Sequence, residues 1–189
     1  MKEGFGAVEF NCPIFMLSCS RKKRLNMKKI AIVLFVLLAL VPSVCFAAPT
    51  KTFAGIEVEN YLGDKVTADI FKDYDVTMVN LFTTWCGYCI REMPDIEKLS
   101  KNLPAKSNLI AICADAYEAP EDLKDIVDAF GLDFTILKMT EDELDGIYST
   151  LGYPTTLFVD KSGKVIDELV GMRSYSEYRN EIVSLLNRK

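Results

Sequence analysis

Residues 76–94 read VTMVNLFTTWCGYCIREMP, and the way this stretch divides decides how the rest of the chain is arranged. Its first half, Val76 to Thr84, is an apolar run rich in β-branched residues, as expected of a strand buried on both faces. Beyond it Ile90, Met93, Ile96, Leu99 and Leu103 recur at steps of three and four, a helical stripe entered at Cys86 and ended near Pro104. Cys86 therefore stands where a buried strand gives way to a helix. There its sulfur lies near backbone N–H groups that lack intrahelical partners and near the positive end of the helix dipole.

The flanks continue the alternation. From Thr50 to Tyr74 apolar and polar residues alternate around Leu62-Gly63-Asp64, which predicts a β-hairpin leading into a short helical turn. Asn108 to Asp115 is a second buried strand, and Ala119 to Gly131 is a helix with acids in its first turn and glycine at its end. A short strand over 134–138, a helix over 141–152, a strand over 155–160, a Lys-Ser-Gly turn, a strand over 164–171 and a helix from Ser174 to Asn187 follow. Strands alternating with helices and closing in a hairpin predict an α/β domain, a central mixed sheet covered by helices on both faces.

The first 47 residues read differently. Met27-Lys28-Lys29 leads into the apolar run Ile30 to Val41, and small residues Cys45 and Ala47 stand three and one positions before a cut at Ala48. A basic start, a short apolar centre and a small-residue exit describe a secretory signal peptide. Pro42 stops the run well short of the ~20 residues needed to span a bilayer. The expected organisation is a leader over 1–47, with translation starting at Met27 and the signal peptide over 27–47, followed by one domain over 48–189. The alternative is a retained segment that anchors the protein to the membrane.

Composition then narrows the chemistry. The chain has no histidine, which removes Cys-His and Ser-His pairs, imidazole metal ligands and imidazole proton shuttling. Of 22 basic and 27 acidic residues, seven and two lie in the leader, so the domain carries 15 against 25, formally −10. Nucleic acid is disfavoured as a partner. Cys12, Cys19 and Cys45 also leave with the leader, and Cys86, Cys89 and Cys113 remain.

Three readings of Cys86 and Cys89 compete. A zinc clip wants four soft ligands, and with no histidine and one further cysteine the set is short. A staple between residues three apart closes so small a loop that it constrains little of the unfolded chain. A redox pair suits the strand-to-helix junction, because a thiol stabilised as thiolate attacks well and leaves well when its neighbour displaces it. Cys113, mid-strand, reads as an inert core thiol.

Trp85-Cys86-Gly87-Tyr88-Cys89 after an apolar strand, Pro94, GYPTT over 152–156 and DKSGKVIDELVG over 160–171 resemble the thioredoxin fold. Asn80, FTTWC over 82–86, REMP over 91–94 and the inserted strand and helix between Ser107 and Gly131 are similar to the TlpA/ResA-like branch of exported thiol-disulfide oxidoreductases. The resemblance spans Thr52 to Leu186. It implies that Cys86 attacks and Cys89 resolves, with the redox-active disulfide between them and no metal or organic cofactor. It implies a cis bond before Pro154, with Tyr153 offering backbone groups to a substrate strand and Trp85 and Tyr88 beside the sulfurs. It also implies that Glu118 is a partly desolvated proton acceptor for Cys89, against its reading as a solvated acid before a helix.

The sequence departs from that pattern at Tyr88, where proline is usual, at Asn80, where thioredoxins proper carry a buried acid, and at Tyr153. The expected function is exported disulfide reduction, with exported proteins or apocytochromes as substrates and a membrane thiol donor to reset the pair, as in cytochrome c maturation. A thiol peroxidase, suggested by Thr83 three residues before Cys86, and a peptide-binding module on the same fold are the alternatives.

Overall fold

The computed structural model describes residues 51–188; the leader, its cleavage and the start at Met27 lie outside them. An antiparallel hairpin comes first, β1 (Glu57–Glu59) with β2 (Lys65–Thr67), and a 3₁₀ turn over Ala68–Phe71 follows it. Then come β3 (Val76–Phe82), α1 (Gly87–Ser100), β4 (Ser107–Cys113), α2 (Pro120–Phe130), β5 (Thr135–Lys138), α3 (Glu141–Ile147), β6 (Thr155–Val159), β7 (Val165–Val170) and α4 (Tyr175–Asn187). Five strands form one sheet in the order β5-β4-β3-β6-β7, with β3, β4 and β5 parallel and β6 and β7 antiparallel to their neighbours. This is the mixed sheet that the sequence predicts.

Period-two alternation along the central strands feeds two cores. Met78, Phe82, Leu109 and Ala111 pack with Met93 and Ile96 of α1, Leu123 of α2 and Ile182 of α4. Val79, Leu81, Ile110 and Ile112 pack on the other face with Phe53, Phe71 and Leu144 of α3. Asn80 shares the parity of Met78 and Phe82, which turns it to the face covered by α1. It is opposite Ala111 on one side and Thr156 on the other, in the middle of the sheet.

Helix ends follow local chemistry. Ser174 and Glu177 form a reciprocal capping box at α4, as do Thr140 and Glu143 at α3, and Gly131 closes α2 in the left-handed conformation at φ 61°. Two boundaries differ from the sequence reading. The stripe of α1 stops at Ser100, and α3 ends at Ile147 where a helix to residue 152 is expected. Tyr148 is extended there, buried in the second core, and its hydroxyl donates to Glu168 at 2.8 Å. That tertiary placement overrides the local helical pattern. Among the described residues no helix is long and apolar enough to cross a membrane.

Candidate active site

Cys86 is the N-cap of α1. Its backbone is extended (φ −79°, ψ 99°), its carbonyl accepts from Ile90 N at 3.1 Å, and its Sγ accepts from Cys89 N at 3.2 Å. The helix start thus aims a backbone donor at the sulfur, where negative charge develops on a thiolate. Cys86 and Cys89 are joined in a disulfide with Cα atoms 5.3 Å apart. Cys86 keeps 5% of its surface exposed and Cys89 none, so an incoming sulfur meets Cys86 first.

Around that opening the surface is aromatic. Trp85 is 71% exposed and Tyr88 61%, two large aromatic side chains open to solvent, each next to a cysteine in the chain. Trp85 meets the Tyr153 ring edge-on at 6.2 Å, and Arg91 stacks over Tyr88 at 4.3 Å. The Tyr153–Pro154 bond is cis. Burial, with Glu141 and Asp145 nearby, pushes the Tyr153 hydroxyl up to about 12, so it stays a neutral donor at physiological pH. Trp85, Leu151 and Tyr153 line a cavity of about 280 Å³. The structure therefore brings Trp85 and Tyr153 into contact, packs Tyr153 against the core cluster that holds both cysteines, and leaves Tyr88 exposed between them in the chain.

Glu118 is exposed in the turn before α2. It lines an open cavity of about 750 Å³ that Thr84 and Trp85 also line, and its charge reaches Cys113. The partial desolvation expected of it is absent, because the Asp115–Ala119 turn holds its backbone at the surface.

The desolvated carboxylate is Glu92, which sequence reasoning passed over. It lies one turn after Cys89 on the same face of α1 and is 1% exposed. Asn80 Nδ2 donates to Oε1 at 2.9 Å, while Tyr178 Oη at 2.9 Å and Arg173 N at 3.3 Å donate to Oε2. Burial holds its carboxyl above the ordinary value, and these donors pull the other way without cancelling that effect. Its signal in the sequence was an acid three residues after Cys89 and four before Ile96, on the apolar stripe itself.

A second missed residue is Asp115, 8% exposed just past β4. Its carboxylate accepts from Thr84 N at 2.9 and 3.0 Å and from Thr84 Oγ1 at 2.6 Å, tying down the residue before Trp85. It also accepts from Cys113 Sγ at 3.2 Å. Burial first, then Asp115, pushes the Cys113 thiol well above its usual range, and Cys113 is buried and unbridged.

A model of the AhpC/TSA family matches residues 47–168. The thiol-disulfide oxidoreductase ResA of Bacillus thuringiensis (strain Al Hakam) is 30% identical over 131 residues, 67% of this chain and 75% of that one. StoA from Bacillus subtilis superposes with a TM-score of 0.59 at 18% identity, covering 71% of this chain and 97% of that one. A thiol:disulfide interchange protein of the thioredoxin family from Chlorobium tepidum TLS gives 0.62 at 22%, covering 75% and 99%.

Proposed function

Because the chain belongs to the AhpC/TSA family and is a thiol-disulfide oxidoreductase of the ResA type, we propose that it works in the reducing direction on disulfides of exported proteins or apocytochromes. The observation that carries this reading is the Cys86–Cys89 pair at the N-terminus of α1, with Cys86 outermost and Cys89 sealed behind it. In the reduced protein the Cys86 thiolate attacks a substrate disulfide. A Cys86–substrate bond forms, and one substrate sulfur leaves with the electron pair of the broken bond. Cys89 then gives its proton to Glu92, its sulfur attacks Cys86, and the second substrate thiolate leaves. The substrate gains two electrons and the protein ends as the disulfide. A membrane thiol donor resets it.

Trp85, Tyr88 and Tyr153 form the apolar surface on which a substrate segment lies, beside the backbone at Pro154. Glu118 lines the open cavity that Trp85 also lines, which puts a carboxylate on the wall next to that surface. Export is supported by the leader pattern ahead of Ala48. Cys89→Ser tests the scheme: it should accumulate mixed disulfides through Cys86 with exported proteins, recoverable by reductant and identifiable by mass spectrometry. Their absence would sink the reductase reading, and rapid peroxide consumption by the dithiol protein without a reductase partner would put a thiol peroxidase in its place.

A further inference from the structure

Glu92 is held by three donors, none of them charged: the Asn80 amide, the Tyr178 hydroxyl and the Arg173 backbone N–H. The Arg173 guanidinium is aimed at the carbonyls of Gly171 and Met172. Tyr178 comes from α4, is fully buried, and reaches across to α1. Its hydroxyl accepts from Thr156 Oγ1 at 3.3 Å, and Thr156 Oγ1 accepts from Asn80 Nδ2 at 3.2 Å. Asn80, Thr156, Tyr178 and Glu92 therefore close a ring whose hydrogen bonds run from the Asn80 amide to the Glu92 carboxylate, one directly and the others in relay through Thr156 and Tyr178. That polarity suits the ionised form. The protonated form needs an acceptor as well, and Asn80 Oδ1 is buried with no partner among the described residues. A half-turn of the amide presents that oxygen to Glu92.

We propose that Tyr178 is a positioning residue of the resolving step, its hydroxyl fixing the Glu92 carboxylate and holding it ready to take the Cys89 proton. The proposal rests on the reading of Cys86 as attacking and Cys89 as resolving thiol. In that step the S–H bond of Cys89 breaks and its proton goes to Glu92. The Cys89 electron pair makes the bond to Cys86, and the Cys86–substrate bond breaks with its pair leaving on the substrate sulfur. Glu92 has to be ionised before the step and neutral after it, so a donor that favours the ionised form sets the pH at which Glu92 is ready. The titratable or charged groups that act on Glu92 are Tyr178 from α4 and Arg173 from the segment before α4, and Cys89 stands three residues before it on its own helix. β3 and β6 face it with neutral Asn80 and Thr156.

Tyr178→Phe keeps the ring in the core and deletes the hydroxyl. With glutamate carboxyls labelled with ¹³C, the Glu92 midpoint in the reduced protein should rise by about one pH unit, the loss of one donor to a charged acceptor. The pH midpoint of substrate-thiol release should rise with it, and Tyr178→Phe should move nothing in a Glu92→Gln background. An unmoved carboxyl midpoint, or an equal shift of the release profile in that background, overturns the proposal. Should Tyr178→Phe not fold, 3-fluorotyrosine at 178 is isosteric and a stronger donor; it should lower the Glu92 midpoint, and a midpoint that stays or rises overturns the proposal equally. The carboxyl titration needs no substrate, so its failure is separate from failure of the reductase reading, which the Cys89→Ser trap decides.

Discussion

Replacing Asp115 with alanine should loosen the reactive loop from the end of β4 beside it. The carboxylate carries two hydrogen bonds to Thr84, through its N–H at 2.9 Å and its hydroxyl at 2.6 Å, and a weaker one from Cys113. Hydrogen bonds to a charged acceptor contribute roughly 1.5–3 kcal/mol each, but Thr84 is half-buried and water replaces part of what is lost, so about 2–3 kcal/mol in total is expected. For a domain of this size that is a fall in Tm of roughly 6–15 °C. Trp85 and Cys86 follow Thr84 directly, so disordering their approach by about 1.4 kcal/mol lowers the reduction rate about tenfold. Urea unfolding and turnover of a model disulfide under excess dithiol measure the two effects. Asp115→Asn, which keeps one acceptor oxygen, should fall between, and Thr84→Val, which keeps the N–H bond, should lose about half. An Asp115→Ala protein within about 0.5 kcal/mol of the parent would refute the reasoning.

Two further outcomes follow from buried acids and thiols. Glu92 has a carboxyl above its ordinary 4.5, so from that pH up to the folded value the native state holds a proton the unfolded chain has released. Stability is full below 4.5 and declines as pH rises through the folded value; Glu92→Gln should remove that decline while slowing substrate release by about 10²-fold, and an unchanged decline would count against Glu92 as its source. Alkylation of the reduced protein at neutral pH should modify Cys86 and spare Cys113, whose thiol is buried and pushed up, until denaturant is added; equal labelling of both would contradict the structure.

The strand-to-helix junction and its cysteine pair were legible because they rest on local periodicity: an apolar strand, a helical stripe and a cap lie within twenty residues of one another. Every strand of the main sheet was legible for the same reason. Tyr148 was not, since nothing nearby announces that its ring will leave the helical path for the second core and its hydroxyl for Glu168, twenty residues on. Glu92 was legible in principle, an acid on an apolar stripe, but its partners were not. Tyr178 is 86 residues away and Asn80 is on a different element. Glu118 was expected as the base by its spacing from Gly131, yet a loop position says nothing of burial, and the turn at Asp115 leaves it in solvent.

The exchange of positions between acid and amide also explains Asn80. A carboxylate on β3 would reach the cysteines only through the packing of helix on sheet, whereas Glu92 shares α1 with Cys89, and three residues of helix fix their separation at about 4.5 Å of rise. In the proposed scheme, proton acceptor and resolving sulfur then move as one body when substrate loads Cys86. With the acid on the helix, an acid on the strand becomes a liability: Asn80 Nδ2 is 2.9 Å from Glu92 Oε1, and a carboxylate at that place would force the pair to share one proton and push their titrations apart. An amide at position 80 gives Glu92 a donor without a competing charge. The same scheme accounts for the remaining donors, a phenol and a backbone N–H, both neutral: a cation bonded to Glu92 would lower its proton affinity and weaken it as the acceptor proposed for Cys89.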